Sequence, residues 1–242
     1  VHDKTNFEIF VYSYGFNNKD LIYDVLVNDV DYLHDVREKS DSEIVELVRN
    51  DKIDIAIDLK GFTENTRTGI FSFRLAPIQI NYLGYPGTLG TGFIDYIIAD
   101  DVIIAPEQRA YYSEKIIYLP HSYQVNDNTR PLSKNSISRA EVGLPEQAFV
   151  FCCFNNNYKI SPQEFDIWMR LLKRVKGSVL WLLRSNTWAE RNLHKEAEKR
   201  GIKRERLIFA EKMIPGDHLG RHRLADLFLD TFNVNAHTTA SD

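Results

Sequence analysis

The sequence predicts an α/β fold built on mostly parallel sheets, and three observations carry that reading. Strand-length apolar runs alternate with helix-like stretches along the chain, the pattern of layered α/β structure. The run 148–154, Ala-Phe-Val-Phe-Cys-Cys-Phe, is apolar without a break, which suits a strand covered on both faces, as in a parallel sheet. Ser-x-x-Glu spacings at Ser40/Glu43, Ser138/Glu141 and Ser161/Glu164 mark helix starts.

In chain order, 8–14 is a strand closed by Gly15, and 21–30 is helical. Ser40 opens a helix that carries Ile44, Leu47 and Val48 on one face. A strand at 53–59 runs into Lys60-Gly61-Phe62-Thr63, and 66–73 is a short helix. A strand at 77–83 runs into the loop from Gly84 to Gly90, followed by a strand at 95–99, a short helix at 107–112 and a strand at 115–119. Glycines directly after strands let backbone approach a ligand closely; ordinary turn chemistry is the alternative, and for Gly84-Tyr85-Pro86-Gly87 taken alone it is the favoured one. Residues 1–120 form the first domain.

Residues 121–147 are polar, carry Pro131 and Pro145, and read as a linker. The second domain, 148–242, follows. After the 148–154 strand comes a polar loop with Asn156 and Lys159, then a helix capped by Ser161 with Pro162 at its first position. Phe165, Trp168, Met169 and Leu172 form its apolar stripe, a core face. Strands at 178–183, 207–210 and 226–230 alternate with a helix at 188–200, ended by Gly201, and one from about Asp217. Thr239-x-x-Asp242 has capping-box spacing, so a helix is expected to begin there.

Composition narrows the function. The 242 residues suit one or two domains, and 43% apolar residues supply a sizeable core. A net charge of −4 without long charge runs argues against nucleic acid as a partner. Cys152 and Cys153 are adjacent and give no disulfide framework, which points to a reducing, cytoplasmic setting. No signal peptide or apolar stretch of membrane-spanning length is visible, so no membrane partner is expected. The chain begins at a valine and ends inside a motif, so truncation at both ends is expected.

In this arrangement Lys159, Thr238 and Thr239 converge at one sheet edge, where a lysine, two hydroxyls and free backbone N–H groups suit a diphosphate. Lys159 alone reads equally well as a surface lysine. His218 and Arg221, three apart, share a helix face. Neither G-x-G-x-x-G nor a Walker loop is present. His218-x-x-x-His222 has zinc spacing but no evident third ligand, and Asp29-Val30-Asp31 reads as a solvated helix end. No metal or other cofactor is expected.

These residues resemble the catalytic region of the protein O-linked N-acetylglucosamine transferases, including Spindly-type and bacterial relatives. The signatures include Asp58-Leu59-Lys60-Gly61-Phe62-Thr63, Leu83-Gly84-Tyr85-Pro86-Gly87-Thr88, Leu119-Pro120-His121, Tyr158-Lys159-Ile160, the 178–184 segment, and His237-Thr238-Thr239. The resemblance covers nearly all of the chain. It implies a GT-B fold of two Rossmann-like domains, both incomplete here, with UDP-N-acetylglucosamine as donor and a protein Ser or Thr hydroxyl as acceptor. Transfer would be inverting and metal-independent.

By similarity, Lys159 contacts the diphosphate with Asn156 beside it, standing where many members have glutamine. Thr238 and Thr239 bind phosphate oxygens. His218 and Arg221 lie by the uracil and ribose, Asp242 accepts ribose hydroxyls, and His237 sits near the sugar-phosphate. Thr63, Leu83, Gly84 and Pro86 line the sugar pocket. The family's His-Pro element has no match, so no catalytic residue is assigned. The TPR repeats that usually precede this region have no counterpart in the sequence. Alternatives are a nonenzymatic nucleotide-binding or interaction fragment, a UDP-sugar epimerase, and a related protein transferase using UDP-glucose or GDP-fucose.

Overall fold

Ten strands among the described residues pair only in parallel, which the apolar, helix-punctuated sequence requires. The computed structural model describes residues 2–15, 21–133 and 137–242 and divides into two units, Val1–Tyr123 and Gln124–Asp242.

In the first unit, β1 (Phe10–Ser13) pairs with β2 (Tyr32–Asp35) across α1 (Leu21–Asp29). The sequence gives no signal for β2, because Tyr-Leu-His-Asp lacks an apolar run. Cross-strand stacking supplies what composition lacks: the Phe10 and Tyr32 rings lie 4.3 Å apart and Tyr12 and His34 5.2 Å apart. Asp31 of the D-x-D accepts from the Ile9 amide and His2 at the start of this pair. A second sheet has the order β3 (Ile55–Asp58), β4 (Ile78–Asn81), β5 (Tyr96–Ala99), β6 (Lys115–Tyr118). On one face α2 (Asp41–Asn50) packs Ile44, Val45 and Val48 with Ala56, Ile70 and Phe71. The opposite face leaves Ile55, Ile57, Ile78 and Ile117 exposed. The short helices expected near 66–73 and 107–112 are 3₁₀ turns, Thr68–Phe73 and Pro106–Tyr111.

The second unit has the strand order β10 (Leu227–Phe228), β7 (Val150–Cys153), β8 (Val179–Leu183), β9 (Leu207–Ala210). All four residues of β7 are buried. On one face Phe151 and Cys153 meet Phe165, Trp168, Met169 and Leu172 of α3 (Pro162–Arg174). On the other, Cys152 and Phe154 meet Trp181 and Leu144. The next helix, α4 (Thr187–Lys199), is capped by Asn186, whose Oδ1 accepts from the Ala189 amide at 2.8 Å. Gly201 follows with φ of 73°, the left-handed position expected of it. The helix expected from about Asp217 begins two residues earlier, as α5 (Pro215–Arg221).

Two details differ from the sequence reading. Within the 121–147 stretch, residues up to Tyr123 fall in the first unit and those from Gln124 in the second, where two arginines make long-range contacts. Arg130 pairs with Asp242 at 2.8 Å, and Arg139 donates to the carbonyls of Glu146, Ala148 and Leu224. The Thr239-x-x-Asp242 capping box does not form. The terminal helix α6 (Thr238–Ser241) starts two residues earlier, with His237 rather than Thr239 at the cap, and the Asp242 carboxylate goes to Arg130 instead.

At α2 both halves of the capping box are made: the Ser40 amide donates to Glu43 at 2.8 Å and the Glu43 amide to Ser40 Oγ at 3.3 Å. Ser40→Ala is therefore expected to cost about 1 kcal/mol of unfolding free energy, measured by urea denaturation.

Candidate functional site

Strand β7 lies between β8 and β10, so strand order reverses beside it. The loops leaving the carboxyl ends of β7 and β10 therefore diverge around a crevice, the usual ligand position of open parallel sheets. The β7 loop carries Asn156, which caps a 3₁₀ turn, Asn157–Lys159. The β10 loop carries residues 231–236 and delivers His237, Thr238 and Thr239. Lys159 joins the two, its Nζ donating to the Asn235 carbonyl at 3.2 Å. Asn156 is exposed, and its amide donates to the Tyr158 hydroxyl at 3.2 Å. Thr238 is exposed, while Thr239 and His237 are half-buried. Burial lowers the His237 pKa, as does the positive charge of Lys159, and Asp230 opposes both. The imidazole is thus biased toward its neutral form.

His218 and Arg221 meet as expected on one face of α5, with Arg221 Nη2 donating to His218 Nδ1 at 2.6 Å. Their exposures differ sharply. Arg221 is 0% exposed; its guanidinium lies 4.6 Å from the Phe154 ring centre and donates to the Glu211 carbonyl. Placed there, Arg221 orients His218 from behind and presents no surface of its own to a ligand. His218 is half-buried against Phe154. Burial, then the Arg221 charge, pushes its imidazole down to about 4, while Asp242 pulls the other way. Because Nδ1 accepts from Arg221, Nε2 carries the proton and remains a donor. The Asp242 side chain is 9% exposed and paired with Arg130. A ribose hydroxyl at Asp242 would therefore meet a carboxylate already oriented by a guanidinium. No sequence signal distinguished Arg130.

His222 Nδ1 donates to the His218 carbonyl at 2.8 Å, and among the described residues no three His, Cys, Asp or Glu side chains gather as a metal-binding group. Burial pushes the Cys152 thiol up to about 12 and Cys153 up to about 11, so both are poor nucleophiles near neutral pH.

In the first unit, two loops are clamped together at the carboxyl ends of β3 and β4. Asp58 Oδ1 accepts from the Lys60 and Gly61 amides at 2.9 and 3.0 Å, and Oδ2 from the Thr68 hydroxyl at 2.7 Å. Thr63 donates its amide to the Gly61 carbonyl at 2.8 Å. Leu83 is held at φ of 69°, in the left-handed region. The next residue, Gly84, sits so close that an added Cβ would lie 2.5 Å from the Leu59 carbonyl oxygen. Pro86 is fixed through its carbonyl by the Tyr112 hydroxyl at 3.1 Å. Asn81 Nδ2 donates to the Tyr85 carbonyl at 2.9 Å, so Thr63, Leu83, Gly84 and Pro86 lie on two loops held by Asp58, Asn81 and Tyr112, to which the sequence alone assigned no role.

A model of the family described as glycosyl transferase family 41 matches residues 1–136 and 130–242. The whole chain aligns, at 38% identity over 248 residues, with the probable UDP-N-acetylglucosamine–peptide N-acetylglucosaminyltransferase SEC of Arabidopsis thaliana, covering 25% of that protein. With the UDP-N-acetylglucosamine–peptide N-acetylglucosaminyltransferase of Caenorhabditis elegans the whole chain shares 26% identity and covers 31%. A solved structure of a mutant O-GlcNAc transferase from Thermobaculum terrenum matches with a TM-score of 0.85 at 29% identity, over 98% of this chain and 45% of that one. The chain thus spans a quarter to a third of the length of these curated relatives.

Gly84→Ala has no room for its methyl group and should destabilise the first unit by about 1–3 kcal/mol, whereas Gly92→Ala meets nothing within 4 Å and serves as the matched control in thermal unfolding. For His218, an unfolded imidazole titrates near about 6.5 and the folded one near 4, so protons bind the unfolded state first. Its stability contribution is complete above about pH 6.5 and is lost as pH falls toward 4. An NMR titration of the folded chain should place the His218 midpoint near 4; a midpoint near 6.5 would contradict this environment.

Proposed function

This chain belongs to glycosyl transferase family 41, and from that membership we propose that it is the donor-binding region of a protein glycosyltransferase moving N-acetylglucosamine from UDP-N-acetylglucosamine to Ser or Thr hydroxyls. Its fold is the α/β GT-B class of the O-GlcNAc transferase it resembles. The observation that carries the functional reading is the junction of Lys159 with the 231–239 loop at the strand-order reversal of the second unit.

In this reading Lys159 and the hydroxyls of Thr238 and Thr239 hold the diphosphate. His218, neutral and donating from Nε2, lies with Asp242 on the uridine side, and Arg221 positions His218. Thr63, Leu83, Gly84 and Pro86 are assigned to the sugar by the family resemblance alone. The acceptor oxygen attacks the anomeric carbon opposite the departing UDP, the bond from that carbon to the β-phosphate oxygen breaks, and the hydroxyl proton is lost. Configuration inverts. Negative charge grows on the leaving phosphate, where a fixed ammonium and hydroxyl donors stabilise it more in the transition state than in the ground state. Those groups supply the countercharge for a metal-independent reaction. No residue of this chain is assigned as the general base. No described helix is long and apolar enough to cross a membrane; the reading places the protein in the cytoplasm, with protein acceptors and without nucleic-acid or membrane partners.

The test is calorimetric titration with UDP and GDP in EDTA. UDP should bind more tightly than GDP. A charge-assisted hydrogen bond contributes roughly 1.5–3 kcal/mol, so Lys159→Ala should weaken UDP binding about tenfold or more with an unchanged circular dichroism spectrum. Equal affinity in a folded variant would remove Lys159 from the phosphate site, and a preference for GDP would indicate a fucosyl donor.

A further inference from the structure

The nucleotide site needs a rigid support for the loop that follows β10, and one carboxylate occupies the centre of that loop. Asp230 stands just past β10. Its Oδ1 accepts from the Thr231 amide at 2.8 Å, the Ala236 amide at 2.8 Å and Asn155 Nδ2 at 3.0 Å. Its Oδ2 accepts from Asn235 Nδ2 at 3.3 Å. Asn155 is 4% exposed and follows β7 directly; its amide also donates to Thr231 Oγ1 at 2.9 Å. Thr231 is 0% exposed and donates to the Val234 carbonyl at 2.7 Å, closing the loop on itself.

The consequences reach Lys159 and the His237-Thr238-Thr239 segment. Ala236 immediately precedes His237, Thr238 and Thr239, so its amide sets where that segment begins. Asn235, held by Asp230 through its side chain, offers the carbonyl that receives Lys159. A carboxylate beside a diphosphate would repel it if exposed; here its lone pairs are used by donors from the loop and from the β7 side. We propose that Asp230 is a positioning residue of the nucleotide site, acting through the 231–236 loop to fix Lys159 and the His237-Thr238-Thr239 segment. This rests on the reading of that edge as the UDP site.

The geometry assigns the work to an acceptor oxygen, so an asparagine, which keeps one, should serve and an alanine should not. Apparent affinity falls in proportion to the competent fraction; a loop competent about a tenth of the time would bind about tenfold more weakly. Three measurements on the full chain test the proposal: calorimetric UDP affinity, amide hydrogen exchange at Ala236 without ligand, and the NMR titration of His237. Asp230→Ala is expected to weaken UDP binding about tenfold and to lose Ala236 protection, with α3 and β8 protection intact. Asp230→Asn keeps one acceptor oxygen for Thr231, Ala236 and Asn155 but loses the 3.3 Å contact from Asn235, whose Nδ2 still donates to the Thr231 carbonyl. It is expected to restore Ala236 protection and most of the affinity, while His237 titrates at lower pH because the opposing negative charge is gone. Native affinity and Ala236 protection in Asp230→Ala would overturn the proposal, as would an Asp230→Asn protein as impaired as the alanine variant. If the native chain bound no UDP, the nucleotide reading would fail, and Ala236 exchange would still decide whether Asp230 orders the loop.

Discussion

The pairing of β7 with both β8 and β10 is the constraint on which the second unit depends. Phe151 is in register with Leu180 on one side and Leu227 on the other, and Cys152 with Trp181 and Phe228. A central parallel strand has helix or loop over both faces, so each of its side chains must be apolar whichever way it points. That single demand explains the unbroken apolar run. It also places the β7 and β10 loops on either side of one crevice, which brings Lys159 within reach of Asn235 although 76 residues separate them.

Around that crevice the charges are arranged in layers. Lys159 and Asp230 are partly buried, Lys159 on the Asn235 carbonyl and Asp230 with its oxygens engaged by amides. Arg221 lies deepest, fully buried against Phe154 and Trp181. Burying a guanidinium is costly unless its donors are met. Here a carbonyl and a histidine nitrogen meet two of them, and the aromatic faces add cation–π attraction. The result is a His218 ring held neutral in a fixed tautomer, useful for recognising uncharged groups such as a base or a sugar hydroxyl.

Local signals in the sequence were enough for whatever local physics decides. The β7 run, the α3 stripe, the Ser40 capping box and the glycine after α4 were readable because periodicity, capping and positive φ need only neighbours. β2 was not readable, because stacking against β1 rather than its own composition holds it. The terminal helix start was misplaced, because Asp242 had a stronger partner in Arg130 than a capping geometry could offer. Lys159, His218 and the His237-Thr238-Thr239 segment stood out in sequence. Asp230, Asn155 and Arg130 did not, because each acts with partners from distant segments, which only the folded chain brings together.

In the proposed reading the β7–β10 crevice holds the uridine diphosphate. Two-dimensional NMR of the labelled chain during UDP titration tests it most directly. The largest shifts are expected at Lys159, Asn235, Thr238, Thr239 and His218. Saturable shifts confined to another place, such as the roughly 470 Å³ cavity lined by Thr91, Ser113 and Lys115 at the amino ends of the first unit's strands β4, β5 and β6, would contradict it.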